Sequence, residues 1–251
     1  PEDNKKIFGF IINKFRGDPN LFSAGYEMIC AKTNWRGFGI APYFDQAWKL
    51  PAEDALDIAT PQRPGKPHIV CLGLSRIANF DDLDPLSNDP ELQVTVLRPG
   101  QAIPADARLV IVPGSKSTSA DLTYLRAQGW DIDLKAHRRR GGHVLGICGG
   151  YQMLGRKVHD PDGIEGAPRS IDGLGYLDIE TTMVPKKNLS LTEARSAETN
   201  TPVSGYEIHL GQSSGPDCQN PWLKLADRHE GSISADGLVR GCYLHGLFAS
   251  D

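Results

Sequence analysis

One cysteine set among glycines carries the most chemical information in this chain. It lies in Gly146-Ile147-Cys148-Gly149-Gly150-Tyr151-Gln152, between the apolar run HVLGI and residues suited to start a helix. A residue raised on so tight a strand-to-helix turn takes strained backbone angles, and neighbours without a Cβ relieve the crowding. Amides and dipole at a helix start favour the thiolate, the attacking form of cysteine. The same turn has a second reading, in which glycines let strand and helix pack closely around a small buried thiol. A thiolate that opens a carboxamide also needs a proton shuttle and amides aimed at the developing oxyanion. His245, in YLHGLF where an apolar strand ends, has the first chemistry. The loop VPGSKST has the second through the amides of Gly114 and Ser115, joined by that of Gly149.

Those groups need a frame that brings strand ends together. After residue 67 the text alternates as α/β domains do. Strands are predicted at 68–74, 93–99, 107–114 and 143–147, with helices at 117–128, 131–140 and from Gly149. From about Gly173 the pattern becomes short strands: GYLDIETTMV, VSGYEIHL, GSISADG and LVRGCYLHG. Before residue 60 the expected elements are a buried strand at 7–12, a helix near 21–32, a strand at 37–44 and a helix near 51–59. Between these two regions TPQRPGKP packs three prolines and a glycine into a linker. The predicted division is 1–60, a linker at 61–67, and 68–251. Open α/β sheets place ligands at strand carboxyl ends, where Cys148, His245 and the Gly114 loop all fall.

Bulk properties narrow the classes. The chain has 251 residues, 39% apolar and 23% charged, with a net charge of −4. That balance gives no reason to expect nucleic acid or an anionic membrane as a partner. No apolar run reaches the about 18 residues a spanning helix needs. The polar start PEDNKKIFGF is unlike a signal peptide, and 5 cysteines without a CxxC pair point to a reducing cytoplasm rather than disulfides or a metal site. Cys71 and Cys242, in apolar strands, read as core, and Arg138–Arg140 as a solvated helix end.

With these residues in place, the chain resembles the class I, triad-type glutamine amidotransferases, and within them the cobyric acid synthase family. The resemblance rests on INKFRGD (12–18), LPAEDAL (50–56), LSRIANFDDLDPL (74–86), VPGSKSTSADL (112–122), GICGGYQMLG (146–155), VSGYEIHLG (203–211) and YLHGLF (243–248). It implies a flavodoxin-like class I amidotransferase domain preceded by the end of a P-loop-like, dethiobiotin-synthetase-like α/β domain. It implies Cys148 as nucleophile, His245 as base and acid, and Gly114, Ser115, Gly149 and Gln152 around the oxyanion and glutamine. Glu207 in GYEIH is a candidate substitute for an orienting acid or a glutamine contact; otherwise it is a polar strand residue. Most triad enzymes carry that acid two residues after the histidine. Here the position is Leu247, so a Cys–His dyad is expected.

The resemblance further implies that the whole enzyme uses ATP and Mg2+ to amidate the b, d, e and g carboxylates of adenosylated cobyrinic acid a,c-diamide, with glutamine as ammonia donor. Asn13, closing a late strand, is the candidate adenine contact. No GxxxxGK[ST] loop occurs in the sequence, so the chain is expected to be a fragment lacking roughly the first half of the enzyme, with no cofactor of its own. The alternatives are a sister amidotransferase such as cobyrinic acid a,c-diamide synthase, or a non-catalytic amidotransferase-like regulatory subunit.

Overall fold

The structure, a computed structural model, describes residues 7–15, 17–42 and 63–249. The chain divides into two compact units, 1–50 and 51–251. In the first, β1 (Gly9–Phe15) pairs in parallel with β2 (Arg36–Pro42), and α1 (Ser23–Thr33) connects them. Asn34 ends α1 in the left-handed conformation, φ 57°. Phe10 against Tyr26 and Phe15 against Phe22 join helix to strand, with ring centroids 5.3 and 5.1 Å apart. This βαβ piece leaves Phe8, Ile11 and Phe38 more than half exposed. The helix expected at 51–59 lies outside the described residues.

The second unit is built on β3 (His68–Leu72), whose five residues are all buried. A strand apolar on both faces needs parallel neighbours and helical cover. Its neighbours are β4 (Gln93–Leu97) and β5 (Ala107–Val112), followed outward by β6 (His143–Ile147) and β14 (Val239–Cys242), all parallel. A short antiparallel β13 (Ser232–Ile233) closes the β14 edge. Numbered along the chain, these five parallel strands stand in the order second, first, third, fourth, fifth, the flavodoxin-like winding whose direction reverses between β3 and β5. The helices are α2 (Asp84–Asn88), α3 (Thr118–Ala127), α4 (Trp130–Arg139) and α5 (Gly149–Leu154).

Trp130 anchors the helical layer. It is fully buried, its indole N–H donates to the Gln101 carbonyl at 2.8 Å, and its ring meets Tyr124 edge-on. Trp130→Ala is expected to cost about 3–5 kcal/mol through the cavity it leaves. Thermal denaturation should show Tm falling by about 10 °C.

Sequence patterning read the region after 173 as separate short strands, but much of it forms one hairpin. β9 (Glu180–Ser196) runs through Pro185 and pairs with β10 (Pro202–Ser214) from end to end. The interruption is absorbed by a bulge: His209 faces Asn188 while Gly211 faces Met183, so Val184–Lys187 stand out of the ladder. β11 (Leu223–Lys224) and β12 (His229–Glu230) extend this sheet beyond β9, and the pair β7 (Lys157–Asp160) and β8 (Arg169–Asp172) also joins β9. β15 (Leu244–His245) pairs with β10 at the opposite edge. The chain thus leaves the parallel sheet at Cys242 and enters the antiparallel one at Leu244.

Candidate active site

Cys148 sits at the turn from β6 to α5 with φ 51° and ψ −109°, a region that a non-glycine residue enters only when its surroundings hold it there. Packing explains the flanking glycines. A Cβ on Gly150 would overlap the Val112 carbonyl, and one on Gly146 would stand 2.7 Å from the Tyr151 nitrogen. The Cys148 N–H donates to the Cys242 carbonyl at 2.8 Å, and its thiol points to the Ile208 carbonyl at 3.6 Å. The strained elbow expected from the glycine spacing is present.

His245 is fully buried, as is its acid partner, Asp82. Asp82 Oδ2 accepts from His245 Nδ1 at 2.7 Å, and Oδ1 accepts from the Gly246 amide at 2.7 Å. A carboxylate can only accept, so Nδ1 carries the hydrogen and Nε2 is left as the working nitrogen. Burial opposes a charge on this imidazole, but the Asp82 and Cys148 side chains outweigh it and raise its pKa from 6.5 to about 10. Nε2 meets no partner at full hydrogen-bonding geometry, although the Cys148 side chain is one of the groups that raise the pKa of the ring. Such looseness is common before substrate arrives. Tyr206 stacks on the ring with centroids 5.4 Å apart, held by an Asn79 amide that donates to its hydroxyl at 2.6 Å.

Asp82 is an acid partner of His245 that the two-member arrangement expected from Leu247 did not include. The acid comes from another strand end: a 3-10 turn, Phe80–Leu83, follows β3 and is entered through Asn79 at φ 59°. LSRIANFDDLDPL displayed this residue, but nothing local separates Asp82 from Asp81. The available signal was its place after the first parallel strand, at the same sheet edge as Cys148. Glu207 is not the orienter. It is buried, and its oxygens take Arg228, Asn188 at 2.7 Å and His209 at 3.4 Å.

The loop after β5 lies against the elbow. The amide nitrogen of Ser115 would be 3.0 Å from a Cβ on Gly149, and His245 Cε1 2.9 Å from one on Gly114. The loop is strapped to the segment after β3 by Ala78 N–H to the Gly114 carbonyl (2.9 Å) and Lys116 N–H to the Arg76 carbonyl (2.8 Å). Buried Asp121 accepts from the hydroxyls of Ser75 and Ser115, both at 2.6 Å, tying the two loops to α3. Cys148, Gly149, Ser115 and Gln152 line a cavity of about 340 Å³, room for a small amino acid. Gln152 is a wall of it: its carbonyl accepts from Thr118 at 2.7 Å, and its NH2 faces the Tyr243 hydroxyl at 3.4 Å.

The amidotransferase signature of residues 68–251 matches the CobB/CobQ-like glutamine amidotransferase domain. The chain belongs to this family. Among proteins similar to it are cobyric acid synthases from Bradyrhizobium diazoefficiens, 61% identical over the whole chain, and from Cereibacter sphaeroides, 57% identical. The chain spans about half the length of these relatives, 52% in each case. PurLQS from Thermotoga maritima shares the fold at 17% identity and TM-score 0.55, over 72% of this chain and 87% of that one. A second solved structure, a glutamine amidotransferase, does so at 16% identity and TM-score 0.54, over 73% and 92%.

In this CobB/CobQ-like domain a second cavity of about 560 Å³ adjoins the first, with His209 and Lys187 bordering both. His209 stacks flat on Tyr243, centroids 3.7 Å apart, and its Nδ1 reaches the Gly211 carbonyl at 2.8 Å. Burial works against the Glu207 charge here, but His209 and Arg228 prevail and lower its pKa. Nearby Glu230 is buried and accepts from the Tyr243 amide at 2.8 Å, two residues before His245; burial pushes its carboxyl up to about 7. Asn13 lies apart from these groups in sequence, exposed on β1 of the other unit.

Proposed function

We propose that this chain is the glutaminase part of a cobyric acid synthase. The observation that carries the reading is Cys148 raised on its elbow beside a buried, Asp82-held His245. The cysteine sulfur attacks the side-chain amide carbon of glutamine, while the amides of Gly149 and Ser115, with the Gly114 turn, meet the negative oxygen. His245 passes the thiol proton to the departing nitrogen; the C–N bond breaks, ammonia leaves, and a thioester remains on Cys148. Water then attacks the thioester as His245 takes its proton, and the S–C bond breaks to release glutamate and restore the thiol. Asp82 keeps Nε2 available in both halves of the reaction.

In the whole enzyme the ammonia goes to corrin carboxylates b, d, e and g of adenosylated cobyrinic acid a,c-diamide. ATP and Mg2+ belong to that half-reaction. The sequence holds no GxxxxGK[ST] cradle for them, and no step above runs through them. Asn13 is the adenine contact proposed on this side. The shared name of the relatives favours this reading over the a,c-diamide sister enzyme.

The test is glutamate release from glutamine by the purified chain, with labelling of its thiols by the glutamine-like electrophile 6-diazo-5-oxo-norleucine. Turnover together with modification at Cys148 is expected. Neither turnover nor labelling at Cys148 would reject the proposal.

A further inference from the structure

Arg63 lies in the proline-rich segment TPQRPGKP, ahead of the amidotransferase signature at 68–251, and takes no part in the chemistry above. Its side chain is nevertheless committed. Nη1 donates toward three carbonyls, those of Asp89 at 2.7 Å, Leu92 at 2.9 Å and Ser87 at 3.2 Å. All three lie in the last turn of α2 or just beyond it.

That helix has little else to fix its far end. It is five residues long, and none of them is fully buried. A helix so short does not hold by itself, and its last carbonyls have no partner within it. A guanidinium that gathers such carbonyls makes charge-assisted bonds, stronger than neutral ones. The neighbouring pair of Lys66 and Glu91 is exposed to 39% and 73%, and such a pair adds little. The strap on α2 is Arg63.

What α2 carries is the acid of the site. The Phe80–Leu83 turn runs into α2 without a break, so Asp82 stands two residues before its start. Buried Phe80 and Leu83 seat the turn at one end. Both Asp82 oxygens are already used, on His245 Nδ1 and on the Gly246 amide, each at 2.7 Å. A tilt of α2 would spoil one bond or the other.

We infer that Arg63 is a positioning residue for glutamine hydrolysis: by gathering the carbonyls at the end of α2 it sets the Asp82 carboxylate on His245. This rests on the glutaminase reading, and adds that the segment ahead of the domain governs how well the imidazole is held.

The experiment measures kcat, KM for glutamine, the pH profile of kcat/KM and Tm for Arg63→Ala and Arg63→Lys, and repeats Arg63→Ala within Asp82→Asn. Arg63→Ala should lower kcat by about tenfold with KM little changed, short of the roughly 100-fold that a misplacement on the order of 1 Å can cost. Its alkaline limb should move down, as that of Asp82→Asn does, and Arg63→Lys should recover part of the loss. Within Asp82→Asn the same substitution should cost less than about twofold, because its effect passes through the missing carboxylate. A lower Tm with kcat and the alkaline limb unchanged would make Arg63 a plain structural tie and overturn the inference. An equal loss in both backgrounds would overturn it too. If Arg63→Ala does not fold, Arg63→Lys carries the same comparison, with a loss of about threefold expected. No glutamate release by the unaltered chain rejects the glutaminase reading, and this inference with it; release that neither Arg63 variant alters rejects this inference alone.

Discussion

Cys148→Ser is expected to reduce glutamate release from glutamine by about 10⁴-fold or more, the scale seen when a nucleophile is removed from a preassembled site. The substitution is close to isosteric, and the elbow is enforced by its surroundings: the Cys148 amide is bonded to the Cys242 carbonyl and Gly150 is pressed against Val112. The fold should therefore persist. What disappears is a thiol, and the hydroxyl in its place is far less acidic and a poorer nucleophile. Glutamine should still raise the Tm of Cys148→Ser, because the cavity wall is intact. Activity within tenfold of the unaltered chain would overturn the assignment of the nucleophile.

Asp82→Asn should cost roughly 100-fold or more in kcat, within the range of a lost general acid–base contribution. The amide can still accept from Gly246 through its oxygen, as Oδ1 does now. Its NH2 would then face His245 Nδ1 and donate to it. That moves the imidazole hydrogen to Nε2, the nitrogen that must take the thiol proton. The pH profile separates this from simple loss of packing. The imidazole pKa of about 10 depends on Asp82 and Cys148 against the cost of burial. Removing the carboxylate lowers it, so the alkaline limb of kcat/KM should move down by about one unit or more. The folded pKa lies above the unfolded 6.5, so the stability this pairing adds is complete below pH 6.5 and lost as pH rises through about 10. Across that window the unaltered chain should lose more Tm than Asp82→Asn. An unchanged profile would remove Asp82 from the mechanism.

The elbow was legible because glycine spacing is local: Gly146, Gly149 and Gly150 state a steric need within five residues. The parallel sheet was legible for a similar reason, since runs such as HIVCL are apolar on both faces. Asp82 was hidden because it pairs with His245 across 163 residues, and its neighbour Asp81 has the same chemistry. The β9–β10 hairpin was cut short because Pro185 reads as a strand end; only the bulge opposite Leu210 shows how the ladder tolerates it. Glu207 in GYEIH was a candidate because it is an acid on a strand, but residue type does not name a partner. Its partner Arg228 stands in a loop with no periodicity to read.

The passage from Cys242 to Leu244 gives the site a particular dependence. Cys148 hangs from the parallel sheet, while the His245 imidazole belongs to a strand stitched to the antiparallel one. Neither layer holds both Cys148 and His245 by itself, so the proposed centre is a seam that exists only where the layers are in register. Assembly of the catalytic pair must therefore wait for some of the most distant contacts in the chain. A thiol exposed on an incompletely folded chain lacks the partner that makes it a catalyst.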